Sequence, residues 1–176
     1  MKKLIAITGP KGAGKSTIAD HLVENYGYTR VPFAKPIKEM CKALRLSEDQ
    51  IWGDSKYDKI PWLGNQTPRH IMQTLGTEWG RELIHQDIWL NLFEENCKPY
   101  DKVVCDDCRF PNEFARVVEM GAYTITIQRD GLDLSDQHES EIHWRDFKTK
   151  ITIFNPETIS ELHQVVDALM AGDISE

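Results

Sequence analysis

Short apolar segments alternate with amphipathic or polar segments along this chain. Each apolar segment is four to seven residues long and rich in β-branched side chains, which predicts a buried β-strand. Because parallel strands need crossover connections, this alternation predicts an α/β fold with a five-stranded parallel sheet. The predicted strands are Lys3–Thr8, Tyr28–Phe33, Lys102–Cys105, Ala122–Gln128 and Lys150–Phe154.

Helical periodicity fills the intervals between these strands. Ile18, Leu22 and Tyr26 recur at i, i+4 and i+8, and Gly27 is suited to the C-cap of that helix. Residues 47–66 are polar and irregular and predict a loop with short helical turns. A helix is predicted over Pro36–Leu46, with Ile37, Met40, Cys41 and Leu44 on one face. Another is predicted to about Cys97, beginning with Thr67 as its N-cap and Pro68 as its first residue. Two more are predicted over Pro111–Met120 and after Asn155-Pro156-Glu157.

Two details of these helices carry specific predictions. The helix that ends near Cys97 contains Gly76 and Gly80, which predict a break or bend of the backbone between them. In the last helix, the spacing predicts that an apolar face turns inward, formed by Ile159, Leu162, Val166 and Leu169. The whole chain (1–176) is predicted to be one domain, with the helical block of about 36–98 as an insertion and the polar segment of about 129–146 as a lid.

Composition and charge exclude several classes of protein. The chain has 176 residues, of which 40% are hydrophobic, and a net charge of −7, whereas broad nucleic-acid or acidic-membrane binding needs a basic face. No apolar run approaches the roughly 18 residues of a membrane span. The apolar run at the N-terminus is too short for the core of a signal peptide. We therefore expect a cytoplasmic protein (in the host cytoplasm if a phage encodes it), without a nucleic-acid or membrane partner, as a monomer or homodimer.

The segment GPKGAGKS has the chemistry of a phosphate-binding loop. It matches G-x-x-x-x-G-K-[ST] at Gly9, Gly14, Lys15 and Ser16, directly after a predicted strand and before a predicted helix. Glycines let backbone N–H groups turn toward phosphate oxygens, and the N-terminus of the helix favours negative charge. Lys15 is expected to reach the β and γ phosphates, and the Ser16 hydroxyl to bind Mg²⁺. This motif predicts a three-layer P-loop fold that binds a nucleoside triphosphate with Mg²⁺.

A second motif, VVCDDCRF, places acids at the end of a strand. A P-loop nucleotide needs such a carboxylate to hold Mg²⁺, directly or through water. Asp106 and Asp107 cannot both point into the site, because neighbours on a strand face opposite ways, and the pattern alone leaves the choice open. Arg109 either binds phosphate or pairs with an acid. Cys105 and Cys108 form a C-x-x-C without a second pair, so Cys105 is interpreted as a buried strand residue and not as a zinc or redox site.

Arginines are the main candidates for binding a second anion. In a chain of net charge −7, positive groups that neutralise donor and acceptor phosphates must be local. Arg69 and Arg81 are favoured because they lie near Gln73 and Trp79 in the unusual helical block. The segment HESE, with one histidine at His138, is a weak metal-site pattern. The candidates outside the P-loop are Arg69, Arg81, Arg109, Arg129 and Arg145.

With these motifs, the chain resembles the phage-type deoxynucleoside monophosphate kinases nearly end to end. The segments that carry the resemblance are ITGPKGAGKST, FAKPIKEM, TPRHIMQTLGTEWGRELIHQDIW, DDCRFPNE, RDG…HESE and the closing strand and helix. The resemblance implies a five-stranded parallel sheet with a substrate-binding helical insertion and a lid. It also implies the reaction, in which ATP phosphorylates a deoxynucleoside monophosphate (dNMP) to the diphosphate.

The resemblance further implies site residues. Asp107 and Arg109 fall on the D-x-R of the family, which favours Asp107 over Asp106, although the neighbouring Asp106 departs from the family pattern. Catalytic roles fall to Lys15, Asp107 and Arg129, and metal binding to Ser16 and Asp107. ATP is expected on Gly9, Lys11, Gly12, Ala13, Gly14, Lys15, Ser16 and Thr17. The monophosphate is expected near Phe33, Lys38, Arg69, Gln73, Trp79, Arg81 and Arg109.

Two other functions stay open from the sequence. One is a P-loop kinase with a different small acceptor, such as a nucleoside or a coenzyme precursor. The other is a nucleotide-dependent switch that acts through a partner and does not transfer phosphate to a small molecule. The arginines of the helical block favour a kinase, because they suit a second anion.

Overall fold

The computed structural model describes residues 3–134, 142–156 and 158–172. The chain divides into two compact units, the first formed by Met1–Pro32 with Asn96–Glu176 and the second by Phe33–Glu95. The helical block predicted at about 36–98 falls almost entirely in the second unit. Every helix in the described ranges is too short or too polar to cross a lipid bilayer.

The first unit is built on a five-stranded parallel sheet, which confirms the predicted fold class. The strand order is β2-β3-β1-β4-β5, and all neighbouring strands pair in parallel. The apolar strand β1 lies at the centre between β3 and β4, where both faces of the sheet are covered. The bounds are Lys3–Thr8 (β1), Thr29–Arg30 (β2), Lys102–Cys105 (β3), Tyr123–Gln128 (β4) and Ile151–Phe154 (β5).

Strand β2 is shorter than the predicted Tyr28–Phe33. Its pairing with β3 ends when the backbone N–H of Val31 donates to the carbonyl of Val104 at 2.9 Å. Pro32 follows and has no N–H to continue the ladder. The predicted residue Phe33 belongs to the second unit.

Among the described residues, three α-helices lie wholly in the first unit: α1 (Lys15–Tyr26), α6 (Pro111–Glu119) and α7 (Ile159–Gly172). Gly27 ends α1 in the left-handed region (φ 69°), as predicted. Apolar side chains of α1 and α7 form one core with the central strands, including Ile18, Leu22, Leu162, Val166, Ile5, Ile7, Ile125 and Ile127.

The start of α7 differs from the prediction. Thr158 caps the helix, since its side chain accepts from the Glu161 N–H at 3.3 Å, and Glu161 Oε2 accepts from the Thr158 N–H at 3.3 Å. The helix therefore begins later than Asn155-Pro156-Glu157 suggested. Leu162 and Val166 are buried as predicted, but Ile159 in the first turn is 64% exposed. The prediction for Ile159 was wrong because the first turn extends past the core.

The second unit is made of short helices. They are α2 (Lys35–Ala43), α3 (Glu48–Trp52), two 3₁₀ turns (Asp54–Tyr57 and Pro61–Leu63), α4 (Pro68–Thr74), a π-helix (Leu75–Ile84) and α5 (Ile88–Cys97), whose last residues belong to the first unit. Thr67 caps α4 as predicted, because its hydroxyl accepts from the His70 N–H at 3.1 Å. Helix α2 ends before the predicted Leu46, and Leu44 is exposed, because Arg45 adopts φ 62° and turns the chain.

The region of Gly76 and Gly80 is helical and unbroken, which corrects the predicted break. Residues 75–84 wind as a π-helix directly after α4, and neither glycine has a positive φ. The glycines serve packing instead. A Cβ on Gly80 would lie 2.4 Å from Cζ2 of Trp89, and the Trp89 indole N–H donates to the Gly76 carbonyl at 2.7 Å. The actual interruption comes later, between Ile84 and Ile88.

Candidate active site

The P-loop follows β1 and leads into the N-terminus of α1. Gly9 has φ +137°, and a Cβ there would lie 2.1 Å from the carbonyl oxygen of Ile127. Only glycine fits this close approach to β4. Gly14 also has a positive φ of 109° and precedes Lys15, the first residue of α1. The loop therefore presents its backbone at a helix N-terminus, which is the geometry that binds phosphate.

Lys15 and Asn155 both hydrogen-bond to carbonyls of the P-loop. The Lys15 ammonium donates to the carbonyl oxygens of Gly9 and Pro10, both at 2.7 Å. The side-chain amide of Asn155 donates to the carbonyl of Ala13 at 2.6 Å. These bonds hold the lysine head group against the loop and tie the loop to the residue that follows β5.

Ser16 lies in a polar cluster with an acid of the β3 end. Its hydroxyl donates to Oδ2 of Asp106 at 3.2 Å. Asp106 is only 5% exposed, and Arg30 binds both of its oxygens, with Nε donating to Oδ1 at 2.9 Å and Nη2 donating to Oδ2. Arg30 Nη1 also donates to Asp20 at 2.8 Å. Burial alone would lower the pKa of Arg30, but its hydrogen bonds and the charges of Asp106 and Asp20 raise it, so the guanidinium stays charged.

The two neighbouring acids have different partners. Asp107 is half-buried and its Oδ1 accepts from the Cys105 thiol at 3.4 Å, whereas Asp106 meets Ser16. Burial and then the charge of Asp107 raise the pKa of Cys105, and burial raises that of Cys108. Both thiols are therefore protonated at neutral pH. Within the part of the chain that the structure describes, His, Cys, Asp and Glu side chains nowhere form a group of three that could hold a metal ion.

Arg109 and Arg129 lie just beyond the ends of β3 and β4. The Arg109 side chain is half-buried, and its backbone N–H donates to Glu113 Oε2 at 2.9 Å, which fixes the turn into α6. Arg129 is exposed and directly follows the last residue of β4. The carboxyl ends of neighbouring parallel strands meet at one edge of a sheet, and this is where ligands bind in open α/β folds.

The predicted acceptor residues all lie in the second unit, except Arg109. Arg69 and Gln73 are on α4, and Trp79 and Arg81 are on the π-helix that continues it. Trp79 is 37% exposed, and its ring centroid lies 6.4 Å from that of the buried Trp89.

Phe33 and Lys38 have packing partners in the same unit. Phe33 is buried and stacks on Phe93 with centroids 4.1 Å apart, so its side chain belongs to the interior. The Lys38 ammonium lies 5.3 Å from the centroid of the Trp52 ring. Of the lid predicted at about 129–146, residues 129–134 and 142–146 are described, while His138 and Glu141 lie outside the described residues.

Two residues of the site escaped the sequence analysis. Arg30 was hidden inside a predicted strand, and its partners lie 10, 14 and 76 positions away in sequence. Asn155 was interpreted as a helix cap, a common role for asparagine before Pro. In both cases the contact depends on which strand ends become neighbours, and that information is absent from local patterns.

Comparison with known proteins identifies the family. The family model of deoxynucleotide monophosphate kinase matches residues 57–166. A putative deoxynucleotide monophosphate kinase of Acanthamoeba polyphaga mimivirus is 34% identical over 181 aligned positions, which cover 93% of each chain. This chain belongs to the deoxynucleotide monophosphate kinase family.

Other relatives extend the identification. The deoxynucleoside-5'-monophosphate kinase of Escherichia phage T5 is 45% identical over 70 residues, which are 39% of this kinase and 28% of the phage protein. Shikimate kinase from Aquifex aeolicus shares its fold, with a TM-score of 0.57 at 13% identity over 97% of this chain and 98% of that one. The predicted P-loop kinase fold is thus confirmed.

Family membership also confirms the predicted activity. This kinase is a phosphotransferase of the deoxynucleoside monophosphate kinase type, and ATP is the donor that such membership implies.

Proposed function

We propose that the kinase binds ATP on Gly9–Thr17 of the first unit and receives the acceptor dNMP on α4 and the π-helix of the second. The observation that carries this assignment is the Ser16–Asp106 hydrogen bond at 3.2 Å, beside a P-loop that opens α1. It unites the two motifs that a Mg²⁺–nucleotide site requires, from positions 90 residues apart.

The phosphates of ATP are bound by backbone dipoles of the P-loop and by the charged side chain of Lys15. Backbone N–H groups of Gly12, Gly14 and Lys15 bind phosphate oxygens, and the N-terminus of α1 adds about half a positive charge. The Lys15 ammonium exchanges carbonyl partners for the β and γ phosphate oxygens and stabilises the charge of the transferring group. Lys11, Ala13 and Thr17 complete this binding segment.

Ser16 and Asp106 fit a magnesium ion, because both offer hard oxygen atoms, and Mg²⁺ is held by few protein ligands plus phosphate oxygens and water. Bound there, Mg²⁺ would neutralise charge on the β and γ phosphates. The hydrogen bond to Ser16 supports Asp106 for this role in place of Asp107, which the resemblance favours. Asp107 then keeps the Cys105 thiol as its hydrogen-bond donor.

On the acceptor side, we assign phosphate binding to Arg81 and Arg69, since guanidinium groups bind phosphate with two parallel hydrogen bonds. Gln73 is assigned to the edge of the base and Trp79 to the apolar contact beside it. Lys38 adds positive charge nearby in the same unit. Phe33 supports these residues from the interior through its stack on Phe93.

Arg109 and Arg129 complete the proposal. Each follows a strand of the sheet, and each carries a positive charge that can stabilise the phosphoryl group during transfer. We assign residues 129–146 to a lid that excludes water and so limits hydrolysis of ATP. The assignments to one domain, to the cytoplasm, to a monomer or homodimer, and to the absence of nucleic-acid or membrane partners stay predictions from the sequence.

A coupled assay of ADP release tests the proposal. The purified protein is supplied with ATP and Mg²⁺ and with each common deoxy- and ribonucleoside monophosphate in turn. We expect at least one dNMP to stimulate ADP release, and Lys15→Ala to abolish turnover while the circular dichroism spectrum stays unchanged. Tight ATP binding without stimulation by any monophosphate would instead favour a nucleotide-dependent switch.

A further inference from the structure

The Arg30 side chain hydrogen-bonds to three other side chains of the polar cluster. It binds both oxygens of Asp106 through Nε and Nη2, the Ser16 hydroxyl through Nη2 at 3.1 Å, and Asp20 through Nη1 at 2.8 Å. Such a fork across a carboxylate fixes its plane as well as its charge. One side chain from β2 thus sets how the acid at the end of β3 faces the P-loop serine.

The cluster also needs Arg30 for its charge. The Asp106 side chain is 5% exposed, whereas that of Arg30 is 35% exposed. A buried carboxylate without a cationic partner is strongly destabilising. Arg30 supplies that cationic partner through its ion pair with Asp106. Asp20 holds the guanidinium from the solvent side, so Arg30 keeps an anionic partner even when Asp106 engages another cation.

We propose that Arg30 is a positioning residue that aligns Asp106 with the Ser16 hydroxyl and acts as the counter-ion of Asp106 until a divalent cation takes over that role. This inference rests on the proposed function only in that Ser16 and Asp106 form the metal site. In the metal-free protein Arg30 holds the Asp106 carboxylate beside Ser16 and competes with a metal ion for the charge of that carboxylate.

Divalent-ion binding to the nucleotide-free protein tests this role without any turnover. Mn²⁺ serves as the probe, and its binding is measured by electron paramagnetic resonance for wild type, Arg30→Met, Arg30→Lys and the double variant Arg30→Met/Asp106→Asn. Arg116→Met is the matched control, since Arg116 pairs with Glu119 on α6. Melting temperatures with and without Mg²⁺ are recorded for each variant.

We expect Arg30→Met to bind Mn²⁺ roughly tenfold more tightly than wild type, because hydrogen bonds to a charged group no longer oppose the ion. Its melting temperature should fall without metal and recover in part with Mg²⁺, whereas Arg116→Met should show neither effect. The double variant should lose the gain in Mn²⁺ affinity. Arg30→Lys keeps the charge without the fork, and its affinity should fall between wild type and Arg30→Met.

An equal Mn²⁺ affinity and an equal Mg²⁺ response in wild type and Arg30→Met would overturn the inference and leave Arg30 as a structural ion pair. If Arg30→Met does not fold, the same comparison between wild type and Arg30→Lys decides. Stimulation of ADP release by dNMP is assayed separately on the wild type. A missing metal effect with intact turnover refutes the role of Arg30 alone, while missing turnover refutes the proposed function.

Discussion

The side-chain amide of Asn155 donates a hydrogen bond of 2.6 Å to the carbonyl oxygen of Ala13, in the middle of the P-loop. The backbone N–H of Asn155 donates to the carbonyl of Gln128 at 2.7 Å. One residue thus links the phosphate-binding loop to the ends of β4 and β5. A Cβ at Gly14 would lie 2.6 Å from the same amide nitrogen, so the contact also restricts the loop sterically.

Asn155→Ala should therefore weaken ATP binding. Loss of one hydrogen bond of about 1 kcal/mol from the loop corresponds to a roughly fivefold rise in the KM for ATP, with a smaller effect on the KM for the acceptor. Steady-state kinetics with each substrate varied in turn provide the measurement. Asn25→Ala is the control, because the Asn25 amide bonds to His21 within α1. A larger rise for the acceptor than for ATP would contradict the assignment.

Arg81→Ala should chiefly weaken binding of the acceptor dNMP. A guanidinium bound to phosphate contributes about 1.5–3 kcal/mol, so the KM for the dNMP should rise by about tenfold or more. The KM for ATP should stay within about twofold, as in Lys59→Ala, which removes an exposed cation from the same unit. If the KM for ATP rose instead, the assignment of the π-helix to the acceptor would be wrong.

Gly80→Ala should destabilise the second unit. The added methyl group would lie 2.4 Å from Trp89 Cζ2 and 2.9 Å from the Leu75 carbonyl, and such overpacking costs typically 1–3 kcal/mol. Urea denaturation followed by tryptophan fluorescence measures the change in free energy of unfolding. At Gly172 an added Cβ meets no atom within 4 Å, so Gly172→Ala serves as the control. Equal stability of the two variants would show that Trp89 moves aside without cost.

The interactions of Asp167 predict that the stability of the folded protein falls at acidic pH. Its Oδ1 lies 2.6 Å from His21 Nε2 and accepts from the Tyr26 hydroxyl at 2.7 Å. These bonds, that of His21 first, lower the pKa of Asp167 from 3.8. A lowered pKa means that the contribution is full above the ordinary value and is lost as pH falls through the folded value.

The melting temperature of Asp167→Asn should therefore lie below that of wild type at pH 6, and the gap should close on acidification below about pH 4. Thermal denaturation followed by circular dichroism across this range is the measurement. Tyr26→Phe removes one of the two bonds and should give a smaller gap. A gap that stays constant down to pH 2 would show that ionisation of Asp167 contributes nothing.

How much of this molecule could be predicted depends on the range of each contact. Gly9, Gly14, Lys15 and Ser16 form one short segment between a strand and a helix, so their arrangement followed from local pattern alone. Arg30 and Asp106 are 76 positions apart, and they meet because β2 and β3 pair. Sequence spacing contains no trace of that pairing, and the choice between the two acids stayed open for the same reason.

The π-helix shows a different limit. Gly76 and Gly80 were interpreted as backbone breaks, because glycine disfavours helix interiors. That preference is about 1 kcal/mol per residue, and tertiary packing overrides it here. The large side chain that occupies the space beside Gly80 is that of Trp89, nine positions later on the next helix. The need for a glycine at position 80 therefore became apparent only from the structure.

The contact between Gly80 and Trp89 restricts how this kinase can be redesigned. Positions 80 and 89 share one volume, so a library that varies either position alone will return mostly the residue already present. Under the proposed assignment of Trp79 to the base, changes of acceptor preference are better sought at this exposed residue, with Gly80 and Trp89 held constant or exchanged together for a larger and a smaller residue. The absence of a side chain at position 80 and the indole at position 89 are thus one packing requirement, and the two residues have to be varied as a pair.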